Sequence, residues 1–361
     1  MGTEGYKNRK TYLCSEINHI PYMKRSVLSL LALFFVLEMQ ATDPDSIPAR
    51  FEGGIDYTAE VQTDFKGGCN ELNLLRLDGQ MNLNRSLRLK LATLTVAKTS
   101  DAIMGDLQTF SNIEFDKNIA LTLAVAGAEW ETTIGSAKHT VFAGVWNTGE
   151  DYFTSDLTAF FTNSSCGIYP TLSANSPIAT YPFAALALHY TCATTHWGVK
   201  GTIVNGEGRY RLTGSNHLFR LLPRRDGITA LAQGEYRTNG SGYYFGGSIY
   251  KSSPTLWTYA EQRVASTPRG DVSLLAAYSQ CMDHDADCHS YAALGAKMEI
   301  NKIEAGIVTQ YADFAHQHEW STELGIRIPL FRCISLQPTL HYIDGSTASG
   351  CIGMLRLNLA L

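Results

Sequence analysis

The chain has 361 residues, enough for one large domain or two ordinary ones, so length decides little. Charged side chains make up only 17% and aromatics 11%, with 31 Gly and 18 Tyr, a balance that suits many short strands joined by tight turns better than a helical enzyme. A net charge of -5 leaves no basic surplus to neutralise phosphates, which argues against nucleic acid as a partner.

Residues 1–22 carry no export logic and read as an upstream extension, with Met23 a candidate initiator. Met23-Lys24-Arg25, the apolar run Val27 to Leu37 and then Met39-Gln40-Ala41 have the layout of a signal peptide over 23–41, cleaved after Ala41. The run is too short to span a bilayer as a helix, which takes roughly 20 apolar residues. The expected mature domain is therefore 42–361, and no later stretch approaches membrane-helix length. If that domain lies in a membrane, it does so as a closed sheet, since hydrocarbon tolerates only structures whose backbone groups are paired internally.

From the first candidate strand onward the side chains alternate with period two. Ile55, Tyr57, Ala59 and Val61 share one face, and Asp56, Thr58, Glu60 and Gln62 the other. Leu87, Leu89 and Leu91 oppose Arg88 and Lys90; Trp320, Leu324, Ile326 and Ile328 oppose Ser321, Glu323 and Arg327; Leu355, Leu357, Leu359 and Leu361 oppose Arg356 and Asn358. Further candidates fall at 70–78, 118–130, 138–147, 183–192, 196–204, 227–237, 241–250, 255–264, 272–281, 289–299, 303–312 and 332–343. Asn205-Gly206-Glu207-Gly208 and Asn239-Gly240 read as turns between them. At roughly twenty residues per strand and connection, the mature length predicts an all-β, transmembrane, antiparallel up-and-down barrel of about sixteen strands. A soluble sandwich also alternates, but export and strand number favour the barrel. Tyr, Trp and Phe are expected at the two membrane interfaces. Pro338 cannot donate to a ladder and predicts a bulge or an early strand end inside 332–343.

The segment from Glu150 to Gly167 breaks this rhythm while carrying Asp151, Tyr152, Phe153, Asp156, Phe160 and Phe161. It is either a constriction inside the barrel, with aromatic and acidic groups that stack on and hydrogen-bond a solute, or an outer loop packed on itself. Cys281-Met282-Asp283-His284-Asp285-Ala286-Asp287-Cys288 has ligand types for a metal but lacks the Gly and closing Glu of an EF-hand. It reads as a solvated outer loop, with or without a Cys281–Cys288 disulfide in an oxidising compartment. Cys69, Cys166, Cys192, Cys333 and Cys351 show no paired spacing. No G-x-S-x-G elbow, P-loop or H-E-x-x-H pair occurs, and no metal or cofactor is expected.

Gly105-Asp106-Leu107-Gln108-Thr109-Phe110-Ser111-Asn112-Ile113-Glu114 resembles the signature segment of the carbohydrate-selective porins, the OprB family. A second stretch is similar to that family's loop after a strand: Asn147, Asp151-Tyr152-Phe153, Phe160 through Gly167, Pro170, Pro177 and Tyr181-Pro182. A third, Leu336 through Ile343 with Leu355-Arg356-Leu357, resembles its closing strands. The resemblance implies a sixteen-stranded outer-membrane barrel that passes mono- or oligosaccharides by passive diffusion and carries an inward loop near 150–167. The implied partners are outer-membrane lipid and the barrel assembly machinery, and the assembly is a monomer or a homotrimer. The chain is short for that family, which predicts trimmed outer loops.

A sugar is neutral, densely hydroxylated and apolar on its ring faces, so a selective lumen needs donors, acceptors and aromatic surfaces without one dominant charge. The candidate pore-lining residues are Asp56, Glu60, Arg88, Lys90, Asp151, Tyr152, Phe153, Asp156, Glu323, Arg327 and Arg356. Gly105, Asp106, Gln108, Ser111 and Asn112 form the structural signature, with Asp106 and Asn112 expected to hold loop backbone. The competing readings are a barrel enzyme, a hydrolase using a histidine such as His189, His196 or His341, or an adhesin without transport. A soluble secreted sugar binder is a third class.

Overall fold

The computed structural model describes residues 50–209 and 218–361. The extension at 1–22, the signal peptide at 23–41 and its cleavage after Ala41 lie outside the described residues. Sixteen strands form a closed barrel. They are β1 Phe51–Thr63, β2 Cys69–Asn82, β3 Leu87–Lys98, β4 Ile119–Ile134, β5 Ala137–Trp146, β6 Ala185–Ala193, β7 Trp197–Asn205, β8 Ile228–Thr238, β9 Ser241–Tyr250, β10 Ser253–Thr267, β11 Gly270–Cys281, β12 Cys288–Ile300, β13 Ile303–Phe314, β14 Gln317–Phe331, β15 Ile334–Gly345 and β16 Ser349–Ala360. Each pairs antiparallel with its chain neighbours, and β1 closes on β16 with Tyr57 opposite Leu359 and Val61 opposite Leu355. Every candidate strand read from the sequence falls on one of these.

Period-two alternation decides which side chain faces which solvent. Leu121, Ile203, Phe245, Leu294 and Leu324 stand exposed on the outer wall, whereas Glu60, Gln62, Glu323 and Gln337 point inward and are buried. An apolar outside and a polar inside are what a strand barrel in lipid requires. Outward aromatics gather near both ends of the strands. Trp197 packs on Tyr236 at 4.5 Å near one end, and Tyr311 packs on Trp320 at 4.8 Å near the other. These are the two belts expected at membrane interfaces.

Connections alternate in length around the barrel. At one end the turns after the even strands span two to four residues. The turn at Asn239 (φ 48°) and Gly240 (φ 75°) puts both central residues in the left-handed region that matches strand twist. At the other end lie the long connections at 99–118, 147–184 and 206–227, but those at 251–252, 315–316 and 346–348 are short. Pro338 departs from expectation. Strand β15 runs past it to Gly345, because its missing N–H falls where the β14 ladder lapses, between the pairs Gly325–Thr339 and Ile328–Leu336. The register shift on that edge lies at Pro329/Phe331 instead.

The barrel is not hollow. Two of the long connections fold inward, and one of them builds a core against the wall, in which Tyr152, Phe153, Leu157, Phe160 and Tyr169 from 147–184 meet Trp257, Tyr259 and Tyr291 from the strands.

Candidate functional site

Loop 147–184 is cinched where it leaves and rejoins the wall. Asn147 Nδ2 donates to the Phe183 carbonyl at 2.8 Å, and the Thr148 backbone N–H and hydroxyl donate to the Ala179 carbonyl at 2.7 and 2.8 Å. Between these points nearly every polar group of the inward stretch is fastened. Asp151 lies 3.1 Å from His189 Nε2 and accepts from Lys200 Nζ at 2.9 Å. Burial pushes the Asp151 carboxyl up, but the His189 hydrogen bond and the Lys200 charge outweigh it and hold the group at about 2. The Tyr152 hydroxyl is 3.0 Å from that of Thr202, and the Phe153 ring lies 5.0 Å from Trp257 and 4.9 Å from Tyr169. Arg327 and Gln337 donate to the Phe160 carbonyl at 3.1 and 2.8 Å. The Phe160 ring lies against Gly306, where a Cβ would come within 2.7 Å of it.

Glu323 is the main clasp. Its carboxylate accepts from the Thr162 N–H at 2.8 and 3.0 Å, the Thr162 hydroxyl at 2.9 Å and the Asn163 N–H at 3.0 Å. Inside a low-dielectric contact these charge-assisted bonds are strong, because no water competes for them.

The signature loop 99–118 is held in the same way. Glu319 accepts from the N–H groups of Leu107 and Gln108 at 2.6 and 3.0 Å, and Gln108 Nε2 donates back to the Glu319 carbonyl at 3.1 Å. Ser111 donates to Glu60 at 2.7 Å, and Arg356 donates to Glu60 at 2.7 Å and to Asn112 at 2.6 Å. Asp106 accepts from the Phe110 N–H at 2.7 Å. Burial, then the neighbouring Glu319 charge, raises the Asp106 carboxyl to about 7 against that hydrogen bond. The two loops also bond each other, Asn112 N–H to the Thr162 carbonyl at 2.7 Å and Ser164 N–H to that of Thr109 at 2.9 Å. Asp106, Gln108, Ser111 and Asn112 thus hold backbone in place, while Gly105 is exposed and a Cβ there would meet nothing within 4 Å.

Open space remains on several sides of the loop, in cavities of about 570 and 630 Å³ and in a smaller one along β1–β5. A cavity of about 380 Å³ is lined by Glu52, Arg76, Asp78, Lys90, Trp146 and Glu150, among others. Arg76 spans it, giving Asp78 two hydrogen bonds at 2.7 Å and Glu150 two at 2.7 and 2.9 Å. Glu129 takes ion pairs from Arg88 at 2.9 Å and Lys90 at 2.7 Å, and Glu131 pairs with Arg88 and, at 2.9 Å, with Lys138. Asp56 stands opposite Arg76 in the β1–β2 register. A second cavity, on the far side of the loop, has Asp156, His196, Arg237 and Glu261 in its lining.

The sequence-derived candidates therefore separate. Asp56, Arg88 and Lys90 stand on the open wall and Asp156 on the second cavity, while Arg327 is a partly exposed loop anchor. Glu60, Glu323, Arg356, Tyr152 and Phe153 are corrected from solute-facing to buried between loop and wall, since the inward fold of the loop covers them. Asp151 is tied to His189 and Lys200 beside them. Arg76, Asp78, Glu129 and Glu150 were missed. No disulfide joins Cys281 and Cys288. Both are free thiols, Cys281 Sγ 3.4 Å from the Ser253 hydroxyl and Cys288 Sγ 3.7 Å from the Ser290 carbonyl. Among the described residues no group of three or more His, Cys, Asp or Glu could hold a metal ion.

No family model matches the chain, and no curated protein matches it in sequence. Its fold has solved counterparts. OprB of Pseudomonas putida, in its high-pH structure, superposes with a TM-score of 0.73 at 14% identity over 86% of this chain and 94% of that one. A variant of the Rh. blastica porin gives 0.56 at 9% identity over 86% and 100%. OmpT, an outer membrane protein of Vibrio cholerae in trimer form, gives 0.55 at 11% identity over 86% and 99%. At these identities the likeness is one of fold: the chain is a closed sixteen-stranded antiparallel barrel of the kind porins adopt.

Proposed function

We propose that this protein is an outer-membrane porin through which small neutral polar solutes, sugars first, diffuse passively. One observation carries the reading. Along β1–β5, Arg76, Arg88, Lys90 and Lys138 are ion-paired with Asp78, Glu129, Glu131 and Glu150, and the carboxylates of Glu52 and Asp56 stand beside them on the same wall. Paired charges at this spacing present donors and acceptors that replace the hydration of a hydroxylated solute, and the pairing cancels most of the wall's field, leaving an acidic surplus at Glu52 and Asp56 that disfavours anions. The apolar exterior, the resemblance of the signature segments and the porin-like fold support the outer membrane as the site of action. Export by the leader at 23–41, insertion by the assembly machinery and a monomeric or trimeric state belong to the same proposal.

The hydrolase alternative finds an acid, an imidazole and a hydroxyl in a row, since His189 joins Asp151 at 3.1 Å to Thr202 at 2.6 Å. Thr202 is buried, however, and its hydroxyl is shared with Tyr152, so a substrate carbonyl has no approach to it. The test of the porin reading is swelling of liposomes holding the detergent-extracted protein, in mono- and oligosaccharides beside amino acids and salts of similar size. Sugars should enter fastest. Equal entry of all solutes would leave a general pore, and no entry would return the enzyme or adhesin.

A further inference from the structure

The third long connection is described at 206–209 and 218–227, and at Leu218 it meets the outer face of the barrel. Leu218 lies on the outer wall, buried in a cluster with Leu123 of β4, Val145 of β5 and Ala184, with Ala126 and Leu186 packed against it. The chain then runs Leu218-Phe219-Arg220-Leu221-Leu222-Pro223-Arg224-Arg225, three arginines and no acidic residue. Its far end is tied down as firmly as its start. Buried Asp226 accepts from Arg225 at 2.7 Å, pairs with Arg209 at 2.8 Å and accepts from Asn205 at 3.1 Å, and the Tyr250 hydroxyl donates to its carbonyl at 3.0 Å. Between these two anchors the side chains of Phe219 (52%) and Leu221 (55%) stand exposed, as do Arg220 and Arg224. Immediately beside the Leu218 contact the wall is bare and apolar, with Ile119 and Leu121 of β4 among its most exposed residues.

A segment that rests on the lipid-facing wall at the long-loop rim sits where acyl chains end and headgroups begin. Exposed apolar side chains there enter hydrocarbon, and arginines alternating with them meet the headgroup layer, where guanidinium and phosphate form charge-assisted, two-point hydrogen bonds. We propose that residues 218–225 clamp a phosphate-bearing lipid of the outer leaflet against β4–β6, with Arg220 and Arg224 on its phosphate and Phe219 and Leu221 on its chains. Asp226 already engages Arg225 and Arg209, so the two lipid-facing arginines are the ones without an acid in their own segment. The inference rests on the membrane placement proposed above but concerns a different surface from the pore.

The full-length protein in detergent would be titrated with lipid A, phosphatidylglycerol and phosphatidylcholine, and retention of each scored by native mass spectrometry. Lipid A should bind best and phosphatidylcholine least. The double variant R220E/R224E should lose lipid A affinity about tenfold or more, as expected for two arginine–phosphate contacts at a lipid surface. F219S/L221S should weaken all three lipids together. Sugar-driven swelling should be unchanged in both variants, which separates failure of the clamp from failure of the porin reading. The clamp is overturned if R220E/R224E keeps the lipid A preference, if millimolar inorganic phosphate displaces the lipid, or if the charge reversal changes the number of subunits instead, which would make this segment a contact between copies of the chain.

Discussion

The guanidinium of Arg76 on β2 joins the Glu150 carboxylate at the start of the inward loop by two hydrogen bonds of 2.7 and 2.9 Å, and the same guanidinium grips Asp78 on its own strand. A wall residue and a loop residue 74 positions apart thus border the β1–β5 cavity together. Arg76 and Glu150 keep 26% and 18% of their side-chain surface accessible, so water reaches this ion pair and screens it.

Arg76→Gln should therefore widen the β1–β5 cavity without loosening the barrel. The expected outcome is faster entry of di- and trisaccharides in the swelling assay, with monosaccharide entry changed least. The melting temperature should move little, since a partly exposed ion pair contributes only about 0–1 kcal/mol. Unchanged exclusion of the larger sugars would show that the limiting width lies elsewhere.

Glu323 is the opposite case. It is fully buried and accepts four hydrogen bonds from Thr162 and Asn163. Glu323→Ala leaves two backbone N–H groups without an acceptor in a dry contact, a loss of roughly 1–3 kcal/mol for each group left unsatisfied. Proteolysis within 150–167 should accelerate and single-channel recordings should become noisier, while the strand content seen by circular dichroism stays constant. A quiet channel and a protected loop in this variant would assign the clasp to other contacts.

How much of this was legible in the sequence follows from how the information is spaced along the chain. Strands such as β3 and β16 keep apolar and charged residues on opposite faces over adjacent positions, so three or four residues suffice to read them. Strand β2 hides its pattern, because Leu72 and Leu74 face inward under the loops while Leu75 and Leu77 face the ladder's other side. Arg76 and Asp78 do alternate with Leu75 and Leu77, but Leu72 and Leu74 on the same inner face mask the polar character of that face over the strand as a whole. Glu323, Glu60 and Arg356 were placed on the inner face correctly, but their burial depends on loops from residues more than 150 positions away for Glu323 and 244 for Arg356. Nothing local encodes that a loop will cover them.

Facing can be checked directly on β3. Arg88 pairs with Glu129 and Glu131 inside, and Leu89 is outward and exposed. In a background with the native cysteines replaced by serine, a cysteine at 88 should react with a water-soluble, membrane-impermeant thiol reagent and one at 89 should not. A slip of one residue would reverse the result, because every side chain of the strand would change faces.

The last prediction concerns pH. Asp106 sits in the inward signature loop with its carboxyl raised to about 7, by burial first and by the Glu319 charge second. An acid whose folded value lies above its ordinary value of 3.8 favours the released loop wherever the group must ionise. Between about pH 4 and pH 7 the docked loop holds a proton that the released loop has lost, so docking weakens as pH rises through that window and is constant above it. Asp106→Asn cannot ionise but still accepts from the Phe110 N–H, so it should dock more firmly than the native loop at pH 8, by on the order of a few kcal/mol, and equally at pH 4. Protease cleavage within 99–118, measured against pH for both proteins, reads this difference. Parallel pH profiles for the two would mean that Asp106 reaches water when ionised and that burial does not set its titration.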